Sequence, residues 1–136
     1  MNIKMTAIMA LACLSAAPAM AASNQFGLNC KGVQEKKTGM KSAEWTERYR
    51  IDLDAKRWCR GACKTGAAID MVTADQIMLR DSRATVGGPA DVVTTISRID
   101  GKVSEFVEMG WSGSTFELAN AKCTKSAYVG IPGNRF

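Results

Sequence analysis

The sequence predicts an all-β domain, a small antiparallel meander that closes as a barrel or folds as a sandwich and is stapled by two disulfides. Three observations lead there. Apolar residues recur at every second position, the strand period, and no window shows the 3.6-residue period of a helix. Short apolar stretches are separated by Gly, Asn and Asp turn signals. Four cysteines, Cys30, Cys59, Cys63 and Cys123, lie downstream of an N-terminal leader.

The leader is Met1–Ala21, which reads as a secretory signal peptide. Lys4 supplies the positive start, and Met5–Leu14 is apolar but too short to cross a bilayer. Pro18 breaks any helix, and Ala19-Met20-Ala21 places small residues at both positions that cleavage requires. Leu11 stands two places before Cys13 rather than three, so the spacing for lipid attachment at that cysteine is not met. The mature chain is then Ala22–Phe136, a single domain, periplasmic or secreted, with no transmembrane segment once the leader is gone.

The strands follow in order. Gln25–Val33 alternates Phe26, Leu28 and Cys30 against Gly27, Asn29 and Lys31, and Lys36-Lys37-Thr38-Gly39 turns the chain. Glu44–Leu53 places Trp45, Tyr49, Ile51 and Leu53 on one face, interrupted only by Glu47. Asp54-Ala55-Lys56 leads into Arg57-Trp58-Cys59, and Ala67–Val72 is a short strand. Thr73-Ala74-Asp75 connects tightly to Gln76–Arg80, and Asp81–Ala90, with Gly87-Gly88-Pro89, is the longest predicted loop. Asp91–Ile99 and Lys102–Met109 form a hairpin about Asp100-Gly101, a pair suited to a two-residue type I′ turn. That turn sets Ile96 opposite Glu105 and brings Arg98 within diagonal reach of Glu105. Val92, Ile96, Val103, Val107 and Met109 share the predicted core face. Thr115–Thr124 is the last long strand, and Tyr128–Phe136 is an irregular tail docked by its aromatics.

Four exported cysteines imply two bridges. Cys59 and Cys63 flank Gly61 in a loop short enough to join them. Cys30 and Cys123 lie in the first and last strands, which become neighbours when a sheet closes. The expected pairs are therefore Cys30–Cys123 and Cys59–Cys63. Three residues, not two, separate Cys59 from Cys63, and no βαβ setting surrounds them, so the redox-motif pattern is absent. The cysteine spacings also fit no zinc site.

Function is constrained mainly by exclusion. The 136 residues include no histidine, which removes the Ser-His-Asp triad, the Cys-His pair and imidazole metal sites. No G-x-S-x-G, S-x-x-K or P-loop pattern occurs, and no catalytic residue, metal ligand or cofactor is predicted. Asp52 and Asp54 sit roughly 7 Å apart along a strand, within the reach of glycosidase geometry, yet their place at a turn favours structural roles. Loss of Lys4 with the leader takes the net charge from +5 to +4. Lys36, Lys37 and Lys41 cluster at the first hairpin, and Arg57, Arg60 and Lys64 surround Trp58 and the cysteine loop. These seven residues are the candidate ligand-binding set. They suit an anionic lipid, a glycan or an acidic protein surface; no nucleic-acid motif accompanies them. The expectation is a non-catalytic exported β-domain that binds an anionic envelope ligand or a protein. Two alternatives are an inhibitor or immunity-type protein of an exported hydrolase and a small carboxylate-dependent hydrolase.

Overall fold

The computed structural model describes residues 23–35, 43–85, 88–109 and 115–133. The leader, the Lys36–Gly39 turn, Trp111 and Phe136 lie outside the described residues. Among the described residues there are eight strands and no helix: β1 (Gln25–Glu35), β2 (Ala43–Asp52), β3 (Arg57–Arg60), β4 (Ala67–Val72), β5 (Gln76–Thr85), β6 (Gly88–Ser97), β7 (Lys102–Met109) and β8 (Thr115–Ser126). Each strand pairs antiparallel with its sequence neighbour, and β8 returns to pair with β1, so the meander closes as a barrel. Closure removes the open edges that a sheet otherwise presents.

The seam between β1 and β8 places Cys30 opposite Cys123, and the two are disulfide-bonded. A bulge between Lys31 and Val33 shifts the register above the bridge. The second disulfide joins Cys59 to Cys63, whose Cα atoms are 5.9 Å apart across the loop that follows β3. Both pairings agree with the sequence expectation.

The interior is layered. Leu28, Tyr49, Ile51, Trp58, Ile77, Leu79, Ile96, Val103 and Ala121 form the main apolar core. Val92, Ala90 and Val107 form a second, smaller cluster. Val92, Ile96, Val103 and Val107 are thus core residues as their alternation predicted; the side chain of Met109 is outside the described set. Between the two apolar layers lies a polar one, built from Arg60, Thr94 and Glu105.

That polar layer explains one place where sequence and structure part. Asp81–Ala90 is not a loop. β5 runs on to Thr85 and β6 starts at Gly88, with Asp81 opposite Val92 and Arg83 opposite Ala90. The segment reads as a loop because its inward positions carry charge, and those charges face the polar layer rather than a hydrophobic one: the Arg83 Nη2 reaches Glu105 Oε2 at 3.2 Å.

The β6–β7 turn is also longer than predicted. Ile96 opposes Val103 and Thr94 opposes Glu105, so the connection is Arg98–Gly101, not Asp100-Gly101 alone. A type I′ turn needs positive φ at both central residues, and here only Gly101 has it, at 73°. Ser97 stabilises the wider turn: its Oγ accepts from the N–H groups of Ile99 and Asp100, each at 3.3 Å. The resulting slip is two residues, which preserves the faces because side-chain direction repeats every two. The predicted Arg98–Glu105 contact is not made. Arg98 donates instead to the Thr73 carbonyl, and Glu105 binds Arg60 and Arg83.

The tail is docked, as expected, but largely by backbone and an aliphatic side chain. Arg50 donates to the carbonyls of Gly130 and Gly61 at 3.0 and 3.2 Å. Ile131 is buried against Gly66, where any side chain would collide with it. The Tyr128 hydroxyl donates to Asp52 Oδ2 at 3.4 Å.

Candidate ligand site

The residues singled out in sequence are not gathered into one surface. Lys36, Lys37 and Lys41 lie outside the described residues. Lys64 is exposed, and Arg57 is tied down by donating to the Gly66 carbonyl. Trp58 is a core residue whose indole N–H donates to Ala68 O at 3.0 Å. Arg60 also points inward, because its register position opposite Tyr49 places it on the barrel's inner face. Three residues apart in sequence, Arg57 and Arg60 lie on opposite sides of a strand, which the period-two rule requires.

Asp52 and Asp54 are likewise separated. Asp52 is buried and accepts from Gln25 Nε2 and Ala55 N, each at 2.9 Å, while Asp54 is exposed and accepts from Asn24 Nδ2 at 2.8 Å. Both carboxylates bracket the start of β1 to the β2–β3 turn.

Two polar features remain. The first is the ionic layer. Arg60 Nη2 contacts Glu105 Oε2 at 3.0 Å and Thr94 Oγ1 at 3.1 Å, with Glu47 Oε2 at 3.9 Å from its Nε. The guanidinium lies 5.2 Å from the Tyr49 ring centroid and 6.0 Å from that of Trp58, so the ring faces support its charge away from water. Burial pushes the Tyr49 phenol well above its ordinary value; nearby Arg60 opposes this and Glu105 adds to it. Glu105 is 3% exposed and touches two arginines. Its Oε2 alone accepts from Arg60, Arg83 and Thr94, which makes this layer a structural cross-brace.

The second feature is a cleft of about 470 Å³ at the mouth of the barrel where β1 begins and the β6–β7 turn closes. Phe26, Leu28, Leu53, Ile77, Ile96 and Cys123 form its apolar lining. Its charged rim is Arg98, Lys122, Lys125 and Asp100. The volume falls in the range of small-ligand sites, and barrel mouths are among their preferred locations.

The rim's charges are unequal in availability. Asp100, its one acid, is engaged by Lys102 Nζ at 3.3 Å and accepts from the Lys102 N–H at 3.1 Å. The Ser97 hydroxyl and the Lys102 N–H hold its carboxyl down to about 2. Lys125 Nζ lies 5.1 Å from the Phe26 ring centroid, directly at the boundary of the apolar lining. Among the described residues Lys122 and Lys125 take part in no ion pair. The mouth therefore offers positive charge beside a largely apolar concavity.

Sequence reasoning missed this site because five separate segments build it. Alternation showed that Phe26, Leu28, Ile77 and Ile96 face inward, but not that the barrel leaves space among them at one end. No family model, curated protein or solved structure matches the chain.

Proposed function

We propose that this protein is a non-catalytic binding protein of the periplasm or extracellular space, which holds an anionic ligand at the mouth of its barrel. The observation that carries the reading is the apolar cleft rimmed by Lys122, Lys125 and Arg98. The leader sequence and the two disulfides support export to an oxidising compartment. The protein's net positive charge draws an anion toward the surface, and the rim holds it.

The test is retention of the oxidised mature chain on phosphatidylglycerol vesicles and on heparin, against phosphatidylcholine vesicles, over a salt series. Retention on an anionic matrix is expected to weaken steeply with salt. Lys122→Glu with Lys125→Glu is expected to abolish it. Equal retention on neutral and anionic matrices, or indifference to both substitutions, overturns the reading.

One observation favours an inhibitor role as a second reading. Ile99 is 78% exposed at the tip of the β6–β7 turn, a shape suited to entering the cleft of another protein. A one-to-one complex with an exported hydrolase that Ile99→Asp disrupts supports that role; a complex unaffected by Ile99→Asp removes it.

A further inference from the structure

We infer that the ligand of the mouth is a single-chain anionic amphiphile, whose alkyl chain enters the cleft while its head group stays at Lys122 and Lys125. The inference rests on the anion-binding reading above and adds the apolar half of the ligand.

Three features of the cleft lead to it. Its wall is apolar where it enters the barrel, with the half-buried Phe26 and Leu53 at its surface and the buried Leu28, Ile77 and Ile96 behind them. A wholly polar anion would leave that surface without a partner, whereas an alkyl chain covers it. The cations stand at the lip and not within. Lys122 and Lys125 are exposed, and Lys125 Nζ sits over the Phe26 ring, so a charged head meets them while still in water. This separation of an apolar wall from a cationic lip is the pattern of an amphiphile.

The third feature is the packed core behind the cleft. Deeper in the same core, behind the residues that line the cleft, Tyr49 and Trp58 pack with ring centroids 6.1 Å apart, and Leu79 is fully buried with them. Beyond them lies the Arg60–Glu105 ion pair. A chain cannot thread past these groups into a polar layer, so the site has a definite depth. A volume of about 470 Å³ suits a compact ligand rather than a two-chain lipid.

The experiment is calorimetric titration of the oxidised mature chain with sodium alkanoates, from octanoate to palmitate, below their micelle-forming concentrations. Alkyltrimethylammonium salts of matched chain length and a lysophosphatidylglycerol series run in parallel. Affinity is expected to rise about fourfold per methylene while the chain still gains apolar wall. It should then level off when the chain has filled the cleft. The ammonium series is expected to bind at least tenfold more weakly. Ile77→Trp fills the cleft and should erase the chain-length dependence. Leu53→Trp does the same from the half-buried lip, where a larger side chain disturbs the core less; circular dichroism verifies folding of both.

If lysophosphatidylglycerol binds more tightly than the alkanoate of equal chain, the head is a phosphodiester; the reverse order assigns a carboxylate, and either order supports the inference. Anion binding that is salt-sensitive but independent of chain length overturns the inference and leaves the broader reading standing. Absence of binding to vesicles, heparin and every amphiphile overturns both.

Discussion

Glu105 shows how one charged residue can organise the interior of a small barrel. It lies 3.0 Å from Arg60 and 3.2 Å from Arg83, and almost no water reaches it. Removing one partner of a buried pair leaves the other charge desolvated and unpaired, which typically costs about 3–5 kcal/mol. Glu105→Ala is therefore expected to lower stability by that amount in urea unfolding, with Glu105→Gln costing less because its amide oxygen still accepts. Tyr49 gives the opposite prediction. Its hydroxyl is buried without a hydrogen-bond partner among the described residues. Tyr49→Phe removes a desolvated polar atom and should leave stability at neutral pH unchanged or raise it by up to about 1 kcal/mol. The same phenol governs alkaline behaviour. Burial raises its pKa in the folded state, so its contribution is fully present below the unfolded value near 10 and is lost as pH rises beyond it. Wild-type stability should then fall above about pH 10 more steeply than that of Tyr49→Phe, by about 1.4 kcal/mol per pH unit. Paired unfolding curves at alkaline pH measure this difference.

At the level of elements, the β6–β7 hairpin does more than reverse the chain. The Gly101 carbonyl accepts from the Cys123 N–H at 2.7 Å, which ties the turn onto β8 beside the disulfide. Gly101 has a φ of 73°, and a Cβ there would stand 2.6 Å from the Cys123 carbonyl oxygen. Both facts oppose any side chain, since non-glycine residues pay about 1–2 kcal/mol for left-handed backbone before the collision is counted. Gly101→Ala is expected to destabilise by at least about 2 kcal/mol and to weaken ligand binding, because this turn forms one lip of the cleft. Denaturation and anion retention measured on the same variant check both parts. β3 and β4 show a different economy. Their mutual register covers only two residue pairs, and further bonds supplement it: the Trp58 indole N–H donates to the Ala68 carbonyl, Arg57 to the Gly66 carbonyl and the Ile69 N–H to the Lys56 carbonyl.

Over the whole molecule, the two disulfides divide unequal tasks. Cys30 and Cys123 are 93 positions apart and join the first strand to the last, across the seam that makes the sheet a barrel. In the chain-entropy model such a loop is worth about 4.7 kcal/mol, against about 2 kcal/mol for the Cys59–Cys63 loop. Replacing Cys30 and Cys123 together with alanine is expected to lower stability by about 2–5 kcal/mol, and replacing Cys59 and Cys63 by less. Urea midpoints of the two double variants settle the order. Equal losses would show that the short bridge constrains more than its own loop. The seam variant should also lose affinity at the mouth, because Cys123 lines the cleft.

Much of this architecture was legible in the residues alone. Alternation with period two identified the strands and their inner faces, and it did so even where register was misjudged, since a slip of two leaves each side chain on its face. Leu28, Tyr49, Ile51, Val92, Ile96 and Val103 are all core residues by that rule. The cysteine pairing followed from which strands a closed sheet must bring together. What local pattern could not show was where the interior turns polar. Asp81 and Arg83 resemble a loop until Glu105 arrives from β7 to meet Arg83, and Glu47 resembles an interruption until Arg60 arrives from β3. The cleft at the mouth has the same origin. Lys122, Lys125 and Arg98 carry no distinguishing motif, and they gain meaning only when closure sets them around the open end of an apolar interior. Side-chain direction is a property of the strand and is written along the sequence; a cavity, or the company a charge keeps, is a property of several strands at once and exists only when the barrel has closed.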